Sequence, residues 1–452
     1  MTYVSGVDAS AVRDAIGGRV YVPGEGGYEA ARLPWQRRVD PHPALIVDAA
    51  TSGDVRAALR FARDQGLPFA VLSTGHGAAR IPDGGVLVKT GPMSSVEVDA
   101  GRRVARVAGG VLWSDVIAAA APHGLAPLSG TSPTVGVIGY TLGGGTGWLS
   151  RLHGFAADSV LRAEVVTAEG ELVTASAAEN ADLFWALRGG SGNFGVVTAL
   201  EFRLFPVAGV YAGMAMFDAE RAADAFAVYR EWALDEPDES NTALVLAQMP
   251  PAPQIPEPVR GKRVLMLRTF YAGTSEDAER LLAPLREAAG PPLLDGMRAT
   301  SYADAAAMLP PPPPAISEMH IEMFREIPDA VIDAAVEGHE GVAGVELRHW
   351  GGAMGRPGED AGPIGHRHVP FSVVAGGQAA TPEEAAGMMA GIKAIGDKLR
   401  PYATGGSWLN FLGDATRTEA AYTTGDYQRL RAVKATWDPD NVFSANHNIP
   451  PA

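Results

Sequence analysis

Residues 130–154 carry eight glycines among 25 residues, interleaved with Val137, Leu142, Trp148 and Leu149. Each glycine inside a helix or strand costs about 0.5–1 kcal/mol relative to alanine, so this density argues against an ordinary helix or strand interior. Such a stretch suits backbone that turns with positive φ or lies directly against a flat or phosphorylated ligand. A companion stands upstream, Ser73-Thr74-Gly75-His76-Gly77, a second glycine turn with one reactive side chain. Together the two turns point to a bound dinucleotide.

At 452 residues, the chain is long enough for two or three domains with sizeable cores. Its 46% hydrophobic and 20% charged residues are those of a soluble globular protein. The net charge of −15 argues against nucleic-acid partners and against docking on an anionic membrane. No apolar run reaches the roughly 18 residues of a membrane span. Met1–Ser10 lacks the basic and apolar regions of a secretory leader, so a cytoplasmic protein is expected. With no cysteine, disulfides, thiolate metal sites and cysteine nucleophiles are excluded.

The pattern along the chain is α+β. A short helix is expected over about Ala11–Ile16 and a strand over Ala44–Val47. A helix capped by Thr51 or Ser52 should carry Val55, Leu59 and Ala62 on its apolar face and stop at Gly66. Pro68–Leu72 reads as a strand delivering the chain into the His76 turn. Alternating valines over 86–109 predict short sheet strands. Trp113–Ala121 reads as helix, Val165–Val173 as a hairpin turning at Glu169-Gly170, Asp182–Arg188 as helix and Val196–Phe205 as strand. Past residue 207, helices (219–234, 275–289, 382–399) alternate with strands (264–270, 320–324, 372–375). Proline-rich breaks fall at 249–258 and 310–314, the latter read as a stiff exposed loop. The boundaries expected are 1–206, 207–405 with an antiparallel sheet flanked by helices, and 406–452 returning to the first domain.

Gly190-Ser-Gly192-Asn-Phe-Gly195 matches G-x-G-x-x-G in spacing only. A nicotinamide-binding turn needs a strand before it and a helix after it; here the order is reversed, and that reading is rejected. His76 has no second histidine or carboxylate at metal-ligand spacing, so no metal is expected. No G-x-S-x-G or Ser/His/Asp arrangement suggests a hydrolase.

The combination of Gly75-His76-Gly77, Pro133-Thr-Val-Gly136, Leu142-Gly-Gly-Gly-Thr-Gly-Trp-Leu-Ser-Arg151 and Arg188-Gly-Gly-Ser-Gly-Asn-Phe-Gly-Val-Val-Thr198 resembles the berberine-bridge-enzyme-like FAD-linked oxidases. These belong to the vanillyl-alcohol-oxidase or PCMH-type FAD-binding superfamily. The likeness covers about 40–206 and resumes over 406–451 with Trp408-Leu-Asn410, Asp438-Pro-Asp-Asn-Val-Phe443 and Asn446. It implies a two-subdomain PCMH-type FAD-binding domain plus a substrate domain.

The resemblance implies that His76 is bonded covalently to the flavin 8α-methyl group, with Ser73, Thr74, Gly75 and Gly77 around the pyrophosphate. Gly130, Thr131, Ser132, Thr134, Val135, Gly136, Gly139, Gly143 and Gly144 would lie along FAD. Asp158, Val166, Gly195 and Val197 would approach its nucleotide half, and Asn410 and Asn446 would close from the C-terminal side. Three departures stand out. Ser132 occupies the place of a second, cysteinyl flavin link. Leu72 replaces an arginine of the pyrophosphate turn. Thr146 and Trp408 occupy places where relatives use tyrosines.

The activity implied is an oxidase: a C–H bearing a hydroxyl or amine gives hydride to flavin N5, and O2 is reduced to H2O2. The protein supplies placement and electrostatics. Alcohols, sugars and secondary metabolites are all open as substrates, with a tailoring step in natural-product synthesis favoured. Two alternatives stand beside it: a flavin-dependent oxygenase or dehydrogenase using another acceptor, and a flavoprotein that sequesters a metabolite without turnover. Val135 is expected to admit O2. With both tyrosine positions lost, His320 or His366 is expected to be the base, ahead of Tyr140 and Tyr422.

Overall fold

The computed structural model of the protein describes residues 8–308, 311–337 and 341–452. The first seven residues of the leader reading and Pro310 of the proline run lie outside the described residues. Chain order begins with β1 (Arg19–Tyr21), β2 (Leu45–Asp48), β3 (Phe69–Leu72) and β4 (Val86–Lys89), a sheet in the order β1-β2-β4-β3. Helix Ser52–Asp64 makes the crossover from β2 to β3. Thr51 caps it by accepting from Asp54 N–H, and the Asp54 carboxylate returns to the Thr51 amide. Gly66, at φ +63°, lies just beyond its end. Val55, Ala58, Leu59 and Ala62 bury against Leu45, Val47, Val86 and Val88. β4 pairs parallel with both β2 and β3, which explains why Val86, Leu87 and Val88 are all buried instead of alternating.

A second sheet holds β5 (Val96–Asp99), β6 (Val104–Ala108), β8 (Val160–Val166), β9 (Leu172–Ser176) and β10 (Val196–Arg203), antiparallel in the order β5-β6-β10-β8-β9. A two-strand pair, β7 (Leu125–Ala126) with β11 (Phe205–Pro206), lies beside it. The glycine-rich segment departs from its expectation, because it contains two short helices, Val137–Leu142 and Ser150–His153. Burial of Val137, Ile138 and Leu142 in the central cluster offsets the cost of Gly139.

The third sheet contains β12 (Val210–Asp218), β13 (Ser240–Gln248), β14 (Arg263–Tyr271), β15 (Pro292–Asp295), β16 (Arg298–Thr300), β17 (Ile316–Phe324), β18 (Gly344–His349) and β19 (Phe371–Ala379). Its order is β15-β12-β14-β13-β18-β19-β17, with β16 also beside β12. Helices Ala222–Trp232, Ser275–Ala289, Asp329–Glu337 and Pro382–Leu399 cover one face through a shared apolar core. Strand alternation turns the other face toward the first domain. There Phe270 stacks on Trp148, and Met323 packs with Phe155 and Trp408.

Three buried polar contacts hold these layers in register. Arg151 donates to Ser240 O (2.8 Å), Glu236 O (2.6 Å) and Trp350 O, with the Glu236 carboxylate 3.5 Å away. Arg367 grips Asp158 through two nitrogens at 2.7 and 2.8 Å. Lys434, fully buried on helix Thr424–Trp437, pairs with fully buried Asp438 at 2.6 Å and donates to Asn193 O and Phe443 O. Asn193 in turn donates to His447 O and accepts from Ile449 N–H, so the tail is tied to 190–195. Removing one member of a buried ion pair costs about 3–5 kcal/mol. Asp438→Asn is therefore expected to lower the urea midpoint by a comparable loss, measured by tryptophan fluorescence; a loss below about 1 kcal/mol would contradict this reading of the pair.

Candidate functional site

β3 ends in the turn Ser73–Gly77, where Gly75 takes φ +78° and a Cβ would fall 2.5 Å from Pro34 Cβ. The His76 ring is held on two sides. Its Nδ1 lies 2.9 Å from Thr74 Oγ1, and Trp35 stacks on it at 4.5 Å and 15°. Nε2 is buried without a protein partner, as is Ser73 Oγ. Burial pushes the imidazole pKa down to about 4, so the ring is neutral near pH 7 and one nitrogen keeps its lone pair.

The second glycine turn meets the first directly, since a Cβ on Gly136 would come 2.8 Å from Ser73 Oγ. Ser132 Oγ contacts Thr134 Oγ1 at 3.2 Å, and Val135 O accepts from Trp113 N–H while its side chain packs on the central cluster. Tyr140 lies against Gly130, and its buried hydroxyl has no partner; burial, then Tyr302, raises its pKa well above the usual phenol value. Cβ atoms at Gly77 and Gly139 would meet no protein atom within 4 Å.

Residues far along the chain clamp both turns. Asn410 accepts from Gly145 N–H (2.8 Å) and donates to Tyr140 O (3.0 Å). Its amide would lie 2.7 Å from a Cβ on Gly143, and beside it Gly144 takes φ +113°. Asn446 accepts from Ala79 and Arg80 N–H at 2.9 and 3.2 Å. A buried neutral imidazole nitrogen, an unpartnered serine hydroxyl and two turns edged by bare glycine backbone fit FAD. His76, Ser73 and Thr74 would hold it at one end, and the 130–144 backbone with Asn410 along its length.

Other expected cofactor contacts lie differently. The Asp158 carboxylate is occupied by Arg367 and Phe155 N–H, which makes it a clamp between domains. Val166 and Val197 bury their side chains in two apolar cores. Gly195, at φ +147°, packs 2.8 Å from Val166 O by its absent Cβ, and helix Ala181–Leu187 precedes it while β10 follows.

The structure places the expected bases His320, His366 and Tyr422 against protein partners. His320 lies on the helix-facing side of β17, where its ring touches Gly396 and Nε2 is 3.0 Å from the fully buried Glu322. Strand alternation sends His320 with Glu322 toward the helix and Ile321 with Met323 toward the first domain. His366 Nε2 is bound to Ala420 O at 2.9 Å and its ring packs on Gly406. Tyr422 donates to Gly189 O, and burial raises its pKa.

Several site residues escaped the sequence reading. Trp35 lies before the recognised motifs, and its stack on His76 is a tertiary contact. A cavity of about 190 Å³ opens between the segment 131–148 and the inner sheet face, lined by Thr131, Trp148, Met214, Arg268, Arg298 and Met308 among others. Behind it, Arg268 and Arg348 both pair with Glu346. Burial alone would raise the Glu346 carboxyl, but Arg348 and Arg268 hold it below the usual range.

His447 has the same burial-driven shift as His76, also to about 4. The unfolded chain takes up these protons near pH 6.5, the folded chain only near pH 4. Stability contributed by the neutral rings is thus complete above pH 6.5 and lost as pH falls toward 4. His447→Gln is expected to flatten part of this slope in urea titrations run from pH 7 to 4; an unchanged slope would remove His447 from the account.

The family model described as "FAD binding domain" matches residues 43–176, and "Berberine and berberine like" matches 407–450. (R)-6-hydroxynicotine oxidase of Paenarthrobacter nicotinovorans is 30% identical over 97% of this chain and 97% of its own. A crystal structure of 6-hydroxy-D-nicotine oxidase from Arthrobacter nicotinovorans superposes with a TM-score of 0.82 at 26% identity, covering 98% of this chain and all of that one. Glucooligosaccharide oxidase from Acremonium strictum, whose structure is described with a 6-S-cysteinyl, 8α-N1-histidyl FAD, shares the fold. Its TM-score is 0.83 at 22% identity over 98% and 99% of the two chains. No helix among the described residues is long and apolar enough to cross a membrane. The chain belongs to the berberine-bridge-enzyme-like FAD-linked oxidases and is an FAD-dependent oxidoreductase.

Proposed function

We propose that the protein is an oxidase with one covalent FAD, held through His76 alone, acting on a small molecule whose reacting carbon bears a hydroxyl or amine. The observation that carries this reading is the His76 niche. A neutral ring, fixed by Trp35 and Thr74, keeps Nε2 buried and without a protein partner. FAD supplies the hydride acceptor and the route by which electrons reach O2, giving H2O2. The chain supplies position. Asn410 and Asn446 tie the C-terminal segment over both glycine turns, and Trp148 and Met214 give the cavity an apolar wall. Ser132 has no thiol, so a second covalent link cannot form.

Neither His320 nor His366 lines this cavity, so neither is placed to take the substrate proton. Acid-denatured wild-type protein is expected to stay yellow, and His76→Ala to release its flavin to the supernatant. Complete release from the wild type would end the covalent assignment.

Val135 sits within the segment that would line FAD, and its side chain is half-buried on the central cluster. As the gate for O2, it makes reoxidation the sensitive half-reaction. Val135→Leu is expected to slow reoxidation more than substrate reduction in stopped-flow traces. Equal slowing of both would count against the gate.

A further inference from the structure

We propose that the substrate carries an anionic group, a carboxylate or its equivalent, on a compact apolar body, and that Arg268 receives it with Arg298 at the mouth. This rests on the oxidase reading of the same site and adds its substrate class.

Three observations meet at the cavity. The first is an excess of positive charge. Met214, Arg268, Ala243, Arg348, Ser372 and Met323 lie side by side across six strands of the inner face. Glu346, two residues before Arg348 on that face, pairs with both arginines. Two permanent cations therefore share one carboxylate in a place largely closed to water. Arg348 spends its Nε on Glu346 at 2.9 Å, whereas the buried Arg268 Nε has no hydrogen-bond acceptor. A buried cation without a full set of acceptors is costly, and an incoming anion completes the set.

The second observation is the lining. Among the described residues Arg268 and Arg298 are its charged members, and no Asp or Glu lines the cavity. Trp148, Met214, Ala305 and Met308 supply an apolar wall. The Arg268 guanidinium lies 5.8 Å from the centre of the Trp148 ring, within cation–π reach. The third is size. At about 190 Å³ the cavity is below the roughly 300–1,000 Å³ of ordinary small-molecule sites, which suits a single ring with a short acidic arm.

The test uses purified holoenzyme and matched probes: benzoate, phenylacetate and cinnamate against their neutral amides, with binding measured by calorimetry. The acids are expected to bind at least about 10-fold more tightly than the amides. Arg268→Gln should weaken the acids by about 10- to 100-fold, the range of a charge-assisted hydrogen bond, and leave the amides nearly unchanged. Arg268→Lys should recover part of the loss. Should Arg268→Gln fail to fold, the wild-type preference and a selective loss in Arg298→Gln decide the matter. No preference for the acids in the wild type, or an undiminished preference in Arg268→Gln, overturns the proposal. The flavin spectrum of the same preparation is read separately. Protein without flavin would end the oxidase reading, while the calorimetric comparison would still decide the anion site.

Discussion

The site depends on the burial of one guanidinium. Arg151 stands directly after the glycine-rich turn, and its donors end on the backbone of Glu236, Ser240 and Trp350 in the sheet domain. Taking such a charge out of water costs several kcal/mol, and only a full set of acceptors with a counter-ion offsets it. Glu236 is the counter-ion, itself fully buried and bonded to Ser240 Oγ and Thr242 N–H. The geometry therefore has few alternatives: the sheet seats on the segment that would carry the cofactor, or Arg151 and Glu236 are left unsatisfied. The Asp158–Arg367 pair fixes the same two layers at a second point.

From that seating follows the division of labour between the two faces of the third sheet. Apolar side chains on one face meet four helices, and those on the other meet Trp148, Phe155 and Trp408. The inner face tolerates Arg268, Glu346 and Arg348 because they satisfy one another in part and border a cavity. The C-terminal helix then closes the arrangement through Lys434, and its tail places Asn446 on the His76 turn.

Local patterns determined a good deal without any structure. The capping box at Thr51, the helices over 275–289 and 382–399, and the turn at Gly170 rest on contacts between near neighbours. The glycine turns and His76 were legible for a related reason, since positive φ and close backbone approach leave few residue choices. Strands β12, β13 and β18 were not seen. Their small and charged residues, such as Gly213, Ala243, Glu346 and Arg348, look solvent-facing until the opposing domain is present.

The sequence by itself determined the FAD-linked family, and it showed a serine, Ser132, and a glycine-flanked histidine, His76, in the two glycine turns. Only tertiary structure decided which face each side chain of β17 shows. One residue of register sends His320 to Glu322 and the helix side, and sends Met323 to the first domain. It also decided that Trp35 stacks on His76, that Asp158 serves Arg367, and that two arginines share one glutamate beside the cavity. Trp35 and His76, Asp158 and Arg367, and Arg268 and Glu346 lie tens to hundreds of residues apart in the chain. Their meeting is set by layer packing and buried charge, which no local pattern of residues encodes.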